Sequence, residues 1–95
     1  MVEQGHIIKI EGIKYPALVV SRNLYNESGR VIVCPVVSED TGATLAYPIG
    51  SDRYVLCDNL RQFDLNSRLY SIKDRVSLAG MINITDRVQS LLDYL

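Results

Sequence analysis

The chain has little of what metal-binding and disulfide-rich proteins need. Its 95 residues include no tryptophan, one histidine and two cysteines, Cys34 and Cys57, with no CxxC motif. These residues do not provide the ligand spacing of a structural zinc site. Two cysteines are also too few for a disulfide framework, and both lie in apolar runs, so we expect reduced, buried thiols.

Phosphate-binding loops, hydrolase motifs and long apolar runs are missing as well. The six glycines do not have the GxGxxG or GxxxxGK[ST] spacing of nucleotide-binding loops, and no serine lies in a GxSxG motif. No stretch reaches the roughly 18 consecutive apolar residues of a membrane helix, and the polar N-terminus is unlike a signal peptide. The net charge of −1 excludes a strongly basic domain that would coat any polyanion. We therefore expect a cytoplasmic protein that contacts no membrane.

What the sequence does contain is typical of a small soluble globule, with 47% apolar and 22% charged residues. A chain of this length is expected to form one domain over residues 1–95. Short apolar segments between glycine, proline and polar residues predict six β-strands, at 6–11, 15–21, 30–34, 43–48, 53–57 and 76–82. The β-branched run at 30–34 predicts a strand buried on both faces or a core strand of a barrel. Residues 65–73 are polar and expected to be irregular.

Two helical segments are predicted. Asp58 can cap a single helical turn, from which Leu60 and Phe63 would point inward. Thr85 is a suitable N-cap for an amphipathic helix over residues 85–95, too short to be stable alone. The apolar stripe of this helix consists of Val88, Leu91, Leu92 and Leu95. Many short strands followed by one helix favour a mainly β fold, a small closed antiparallel barrel that leaves no free edge strand.

The first polar cluster that suggests chemistry is the segment 58–64. Arg61 can bind a phosphate or stabilise a pentavalent phosphorane, with Asp58 orienting its guanidinium. The alternative is a capped turn with a surface Arg–Asp pair. Asp64 closes the segment.

Two further clusters lie at strand ends. Ser38 follows a predicted strand, where it can hydrogen-bond a substrate or simply begin a loop. Lys14 and Tyr15 come at the start of another strand, and Tyr15 either stacks on a base or is a half-buried strand aromatic. Arg22 and Asn23 stand at the other end of that same strand.

Four blocks of sequence, in order and spanning nearly the whole chain, carry a family resemblance. They are GHIIKI at 5–10, PALVVSRNLYN at 16–26, VIVCPVVS at 31–38 and VLCDNLRQFD at 55–64. Together they resemble the MazF/PemK toxin family, whose approximate pattern is GDIV…RPALVLSND.FN…VIVCPITS…VL.DQIRTLD. The resemblance implies a small SH3-like closed antiparallel β-barrel with a short helical turn and a C-terminal α-helix, a fold shared with the CcdB gyrase poisons.

The resemblance also implies a function. It implies the toxin of a type II toxin–antitoxin pair, which forms a homodimer, is inactivated by a cognate antitoxin peptide and meets DNA only through that antitoxin. The implied activity is growth-inhibiting cleavage of single-stranded RNA without metal or cofactor. In that reaction the 2′-hydroxyl attacks its own phosphate, so the protein must supply a base, an acid and a cation. Two alternatives remain open: a catalytically degenerate binding module of the same fold, and a CcdB-like gyrase poison.

This sequence departs from the family pattern at the two usual catalytic positions. The arginine before the proline of the second block is Tyr15 here, and the threonine of the third block is Val37. Tyrosine has neither permanent charge nor bidentate phosphate geometry. Loss of such an electrostatic stabiliser costs on the order of 10²–10³ in rate. The polar loop between the first two strands is also reduced to residues 12–14.

The resulting site hypothesis assigns the chemistry to polar residues within the family's site blocks. Arg61 would neutralise the scissile phosphate with help from Lys14. Tyr15 and Ser38 would contact RNA or donate a proton. Further RNA contacts are expected from Arg22, Asn23, Asp58 and Asp64, and no metal is expected.

Overall fold

The structure, a computed structural model, describes residues 1–39, 42, 45–50 and 52–92. Within these residues the chain forms an antiparallel sheet of seven strands, two helices and one 3₁₀ turn. In chain order they are β1 (His6–Ile10), β2 (Ala17–Val19), α1 (Asn23–Asn26), β3 (Arg30–Val37), β4 (Ala46–Pro48), β5 (Tyr54–Leu56), β6 (Arg61–Asp64), the 3₁₀ turn (Leu65–Ser67), β7 (Tyr70–Arg75) and α2 (Leu78–Ser90). None of the helices in these described ranges is long and apolar enough to cross a bilayer.

The central strands β1, β2 and β3 are apolar on both faces, because each face packs into its own core. The first core lies under α2 and contains Ile7, Leu18, Cys34, Val36, Met81 and Ile84. The second core lies on the other face and contains Ile8, Val19, Val31, Val33 and Phe63. Alternate side chains of a strand point to opposite faces, so an apolar run supplies both cores at once. The prediction that 30–34 is buried on both faces is therefore confirmed.

The strand order is β4-β5-β3-β2-β1-β7, and β6 also pairs with β3. Val36 lies opposite Val55 of β5, and Val33 lies opposite Arg61 of β6, so β5 and β6 follow one another along the same edge of β3. No pairing within the described ranges joins β4 to β7, so the expected closure of the barrel is not found. Met81 and Ile84 of α2 pack against the first core.

A small polar pair interrupts the apolar interior where β2 meets β3. Ser21 and Asn26 are both buried. The Ser21 hydroxyl accepts the Ile32 N–H at 3.0 Å, and the Asn26 side chain donates to the Ser21 carbonyl at 3.0 Å. Every buried side-chain nitrogen or oxygen of the described residues has a hydrogen-bond partner. This pair fixes α1 against the start of β3.

The prediction of a strand at 76–82 was wrong, because this segment begins α2. Ser77 is the N-cap, and its hydroxyl accepts the Gly80 N–H at 3.1 Å. Thr85, predicted as the N-cap, lies inside the helix and donates to the Met81 carbonyl at 2.8 Å. The buried stripe is formed by Met81, Ile84 and Val88, with Val88 only partly buried.

The predicted end of the helix also differs, because α2 ends at Ser90. Leu91 and Leu92 follow it and are exposed, so they do not form the expected buried stripe. Leu95, the last member of that stripe, lies outside the described residues.

The region 58–73 also differs from its prediction. Asp58 caps no helical turn, because residues 61–64 form β6 and pair with four residues of β3. Of the two side chains expected to point inward, Phe63 is buried and Leu60 is exposed. The expected irregular segment contains a 3₁₀ turn and most of β7, whose pairing with β1 supplies backbone hydrogen bonds that the sequence pattern does not reveal. The short helical turn of the fold is α1, and not the turn predicted after Asp58.

Candidate nucleic-acid interface

A pocket of about 420 Å³ opens between the β1–β2 turn and the β5–β6 connection. Its buried lining includes Ala17, Val33 and Phe63 from the second core. Its exposed lining includes the side chains of Lys14, Tyr15, Asn59 and Arg61. The pocket thus combines an apolar base with a polar and aromatic margin.

The wall that carries Lys14 and Tyr15 is a tight turn held by backbone bonds. Gly12 has a φ of +85°, a conformation that glycine adopts without strain. The Ile13 N–H donates to the Ile10 carbonyl at 3.1 Å, and the Lys9 ammonium donates to the Ile13 carbonyl. The Lys14 ammonium then lies 5.1 Å from the centre of the Tyr15 ring, within cation–π range.

The opposite wall is formed where the chain leaves the edge of β3. Residues 57–60 stand between the β3 pairings of β5 and β6, and the Asn59 N–H donates to the Leu56 carbonyl at 3.1 Å. Arg61 is the first residue of β6, and its guanidinium carbon Cζ lies 5.5 Å from the centre of the Phe63 ring. Because Phe63 is buried, the base of this wall is fixed by core packing.

The charge of the pocket has one sign. Of the described residues that line it, Lys14 and Arg61 are charged, and none is an aspartate, glutamate or histidine. Neither cation takes part in an ion pair with another described residue. Cations beside an exposed aromatic ring suit the binding of a phosphate and a base. The lining offers no carboxylate or imidazole for proton transfer.

The structure brings three of the predicted site residues together, namely Lys14, Tyr15 and Arg61. Ser38 is exposed just beyond Val37, which does line the pocket, but Ser38 itself is outside the lining. Asp58 is exposed in the β5–β6 connection and is likewise outside the lining.

The other predicted contacts lie outside the pocket, and the side chains of two of them, Asn23 and Asp64, have partners within the protein. Asn23 begins α1, and its side-chain oxygen accepts the Gln4 N–H at 2.7 Å, while Arg22 precedes it as the N-cap residue. Asp64 accepts the Asn66 N–H at 2.9 Å and so caps the 3₁₀ turn. The structure gives each of these segments a local role.

Two residues near the pocket were not among the predicted site residues. Asn59 lines it from the β5–β6 connection, and the Arg68 guanidinium carbon lies 5.2 Å from the centre of the Phe63 ring. Asn59 belongs to the polar segment 58–64 that contains Arg61, and this position in the sequence was a signal that Asn59 could line the pocket. Arg68 was expected only as part of a polar, irregular segment, so its contact with Phe63 was not predicted.

The two thiols and the imidazole are outside the pocket lining. Burial raises the pKa of the Cys34 thiol to about 12, with the nearby Cys57 and Asp58 adding to the effect. Burial also raises the pKa of the Cys57 thiol. Both cysteines are free and buried, as expected. Burial first, and then the Arg75 guanidinium, lower the pKa of His6, whose Nδ1 accepts the Glu3 N–H at 2.9 Å. No group of residues that could hold a metal ion occurs in the described ranges.

Comparison with known proteins now identifies the family. A family model described as the PemK-like, MazF-like toxin of type II toxin–antitoxin systems matches residues 4–92, which include both walls of the pocket. The chain belongs to this family. Its PemK/MazF membership confirms the resemblance carried by the four sequence blocks.

Solved structures agree with this membership. A MazE–MazF complex from Deinococcus radiodurans is 27% identical, with a TM-score of 0.84 over 99% of this chain and 97% of that chain. MazF from the same organism is also 27% identical, with a TM-score of 0.79 over 96% of each chain. An endoribonuclease from a mycobacterial species shares the PemK/MazF fold, with 19% identity and a TM-score of 0.82 over 96% of this chain and 90% of that chain. A search of curated protein sequences gave no match.

Proposed function

We propose that this PemK/MazF-family toxin cleaves single-stranded RNA in the pocket between the β1–β2 turn and the β5–β6 connection. The observation that carries the proposal is the convergence of Lys14, Tyr15 and Arg61 on one pocket with an apolar base, whose described lining residues include no carboxylate. Single-stranded RNA presents phosphates and unstacked bases, and this lining offers a partner for each.

The reaction needs no group beyond RNA, water and the protein. None of the described lining residues offers a carboxylate or an imidazole as the base that the resemblance implies, so the proton of the attacking 2′-hydroxyl passes to water as its oxygen bonds to the adjacent phosphorus. The phosphorane that forms carries additional negative charge. Arg61 stabilises that charge with its planar guanidinium. The bond to the 5′-oxygen then breaks, and Lys14 or the Tyr15 hydroxyl gives a proton to the leaving oxygen. The products are a 2′,3′-cyclic phosphate and a 5′-hydroxyl.

The residues outside the pocket are assigned to the flanking RNA. Ser38 and Asp58 stand next to lining residues in the sequence, and we assign them to nucleotides just beyond the scissile bond. Arg22, Asn23 and Asp64 would act only on a strand that extends past the pocket. Their present contacts within the protein make them secondary candidates.

The partners proposed here are a second copy of the chain, RNA and a cognate antitoxin peptide, in the cytoplasm. An endoribonuclease from a mycobacterial species has been solved in complex with its cognate antitoxin, and its TM-score to this chain is 0.79 at 18% identity. An acidic antitoxin segment in the pocket would neutralise Lys14 and Arg61 and so compete with RNA. DNA would be contacted only through that antitoxin.

The test is incubation of the pure protein with a long single-stranded RNA in EDTA, followed by sequencing of the new ends. Discrete cuts are expected, and Arg61→Ala should reduce their rate on the order of 10²-fold, as for loss of one electrostatic stabiliser. Arg30→Ala is the matched control. Arg61 lies at one end of the pairing between β6 and β3, and Arg30 lies at the other end, so the variant removes the same charge from a different place.

Equal rates for wild type and Arg61→Ala would remove Arg61 from the mechanism. A wild-type protein that binds RNA but leaves it intact would favour the degenerate binding module. That alternative is supported by the lack of a carboxylate or imidazole among the lining residues and by Tyr15 and Val37 at the usual catalytic positions.

A further inference from the structure

Arg68 lies outside the pocket lining but contacts the same phenylalanine as Arg61. The guanidinium carbons of Arg61 and Arg68 lie 5.5 Å and 5.2 Å from the centre of the Phe63 ring. Arg61 comes from the start of β6, whereas Arg68 follows the 3₁₀ turn and precedes β7. Phe63 is buried in the second core, so two guanidiniums from different parts of the chain meet on one fixed ring.

These two cations have no anionic partner in the described part of the chain. The ion pairs found there are formed by Arg53, Arg75 and His6 with carboxylates. Cation–π contact accounts for the position of each guanidinium against the ring. This contact does not neutralise either positive charge. A bound anion would do so, and both side chains are exposed to receive one.

We propose that Arg61 and Arg68 form a double-arginine site for consecutive phosphates of a single-stranded nucleic acid, with Arg68 binding the phosphate next to the one at Arg61. A guanidinium offers donors and no acceptor, and its planar fork matches phosphate oxygens. Both guanidiniums contact the ring of Phe63. The inference rests on the proposed function, because the strand that enters the pocket supplies both phosphates.

The experiment measures binding of a fluorescein-labelled 2′-O-methyl RNA, which has no free 2′-hydroxyl and is therefore not cleaved. Fluorescence anisotropy gives the dissociation constant at several KCl concentrations. Arg68→Gln removes the charge but keeps part of the aliphatic stem against Phe63, and Arg68→Lys keeps the charge. Arg30→Gln is the control. Val31 packs with Phe63, and neighbouring residues of a strand point to opposite faces, so Arg30 lies on the other face of β3.

Arg68→Gln should weaken binding by about tenfold at low salt and reduce the slope of log affinity against log salt by about 0.7, the value for one phosphate on a single strand. Arg68→Lys should keep the slope, and Arg30→Gln should leave it unchanged. The slope does not depend on the fraction of folded protein, so a loss of stability would not imitate this result.

Equal slopes for Arg68→Gln and wild type would overturn the double-arginine site and leave the proposed function standing. Equal slope changes for Arg68→Gln and Arg30→Gln would do the same, because the effect would then be one of net charge. Failure of the wild-type protein to bind the RNA would overturn both proposals.

Discussion

The turn at Gly29 should be one of the most sensitive positions for stability. Gly29 has a φ of +86°, and a Cβ added there would lie 2.6 Å from the side-chain carbon Cγ of Asn66. The left-handed conformation costs an alanine about 1–2 kcal/mol. Displacing Asn66 also breaks the bond from its side-chain nitrogen to the Ser28 carbonyl, 3.2 Å long, at a cost of about 1 kcal/mol. We therefore expect Gly29→Ala to lower the free energy of unfolding by about 2–3 kcal/mol.

Urea unfolding of four variants separates the two contributions. Gly12→Ala is the control for backbone strain, because its φ is +85° and no atom lies within 4 Å of the added Cβ. Gly29→Ala should cost about 1 kcal/mol more than Gly12→Ala in the wild-type background, and the same as Gly12→Ala when Asn66 is already alanine. Equal costs in the wild-type background would refute the steric argument, and a cost below about 1 kcal/mol at both glycines would refute the strain argument as well.

Four further outcomes are expected. Tyr15→Arg returns a guanidinium to the position where the family pattern has arginine, so RNA cleavage should accelerate by about 10²-fold, and an unchanged rate in a time course would contradict this. Cys34 should resist a thiol reagent at about pH 8 in the folded protein, since burial raises its pKa to about 12, and react fully in urea; similar rates in both states would argue against burial. Ser77→Ala should cost about 1 kcal/mol in urea unfolding through loss of the N-cap, with Ser77→Asp as the neutral control. The pKa of His6 is lowered below 6.5 in the folded state, so the unfolded chain takes up its proton first as the pH falls. Stability should therefore decrease below pH 6.5, and His6→Gln should remove that part of the decrease; an identical pH profile for the variant would exclude His6 as its source.

The strands with β-branched runs and the presence of a C-terminal helix were predictable from the sequence, whereas the residue at which that helix begins was not. Residues 30–34 lie within β3, and both of its faces are buried as predicted. Residues 76–82 contain Val76 and Gly80, which favour strand or turn locally, but they begin α2 because Ser77 caps it and Met81 and Ile84 are buried. Long-range packing therefore outweighed local propensity at this point.

The candidate site, too, could be predicted only in part from the sequence. Lys14, Tyr15 and Arg61 were predicted as one site from blocks that are distant in sequence, and they do share a pocket. Arg68 was missed because its contact with Phe63 depends on β6 and β7, and neither strand was predicted. The sequence blocks are informative about the walls of the pocket and silent about what the connecting segments bring next to them.

The two apolar faces of the central strands have a consequence for how the chain finds its alignment. In a sheet with one wet face, a one-residue slip moves apolar side chains into water and is strongly disfavoured. Between β2 and β3, a one-residue slip would move apolar side chains from one buried core to the other. One polar contact that distinguishes the alignments is made by the buried Ser21 hydroxyl, which accepts the Ile32 N–H of β3 and would lose this partner in a shifted pairing at about 1–3 kcal/mol. Asn26 donates to the Ser21 carbonyl, so its own partner does not change in such a slip. Ser21 therefore favours the observed alignment, and replacing it by an apolar residue should raise the share of shifted β2–β3 pairings.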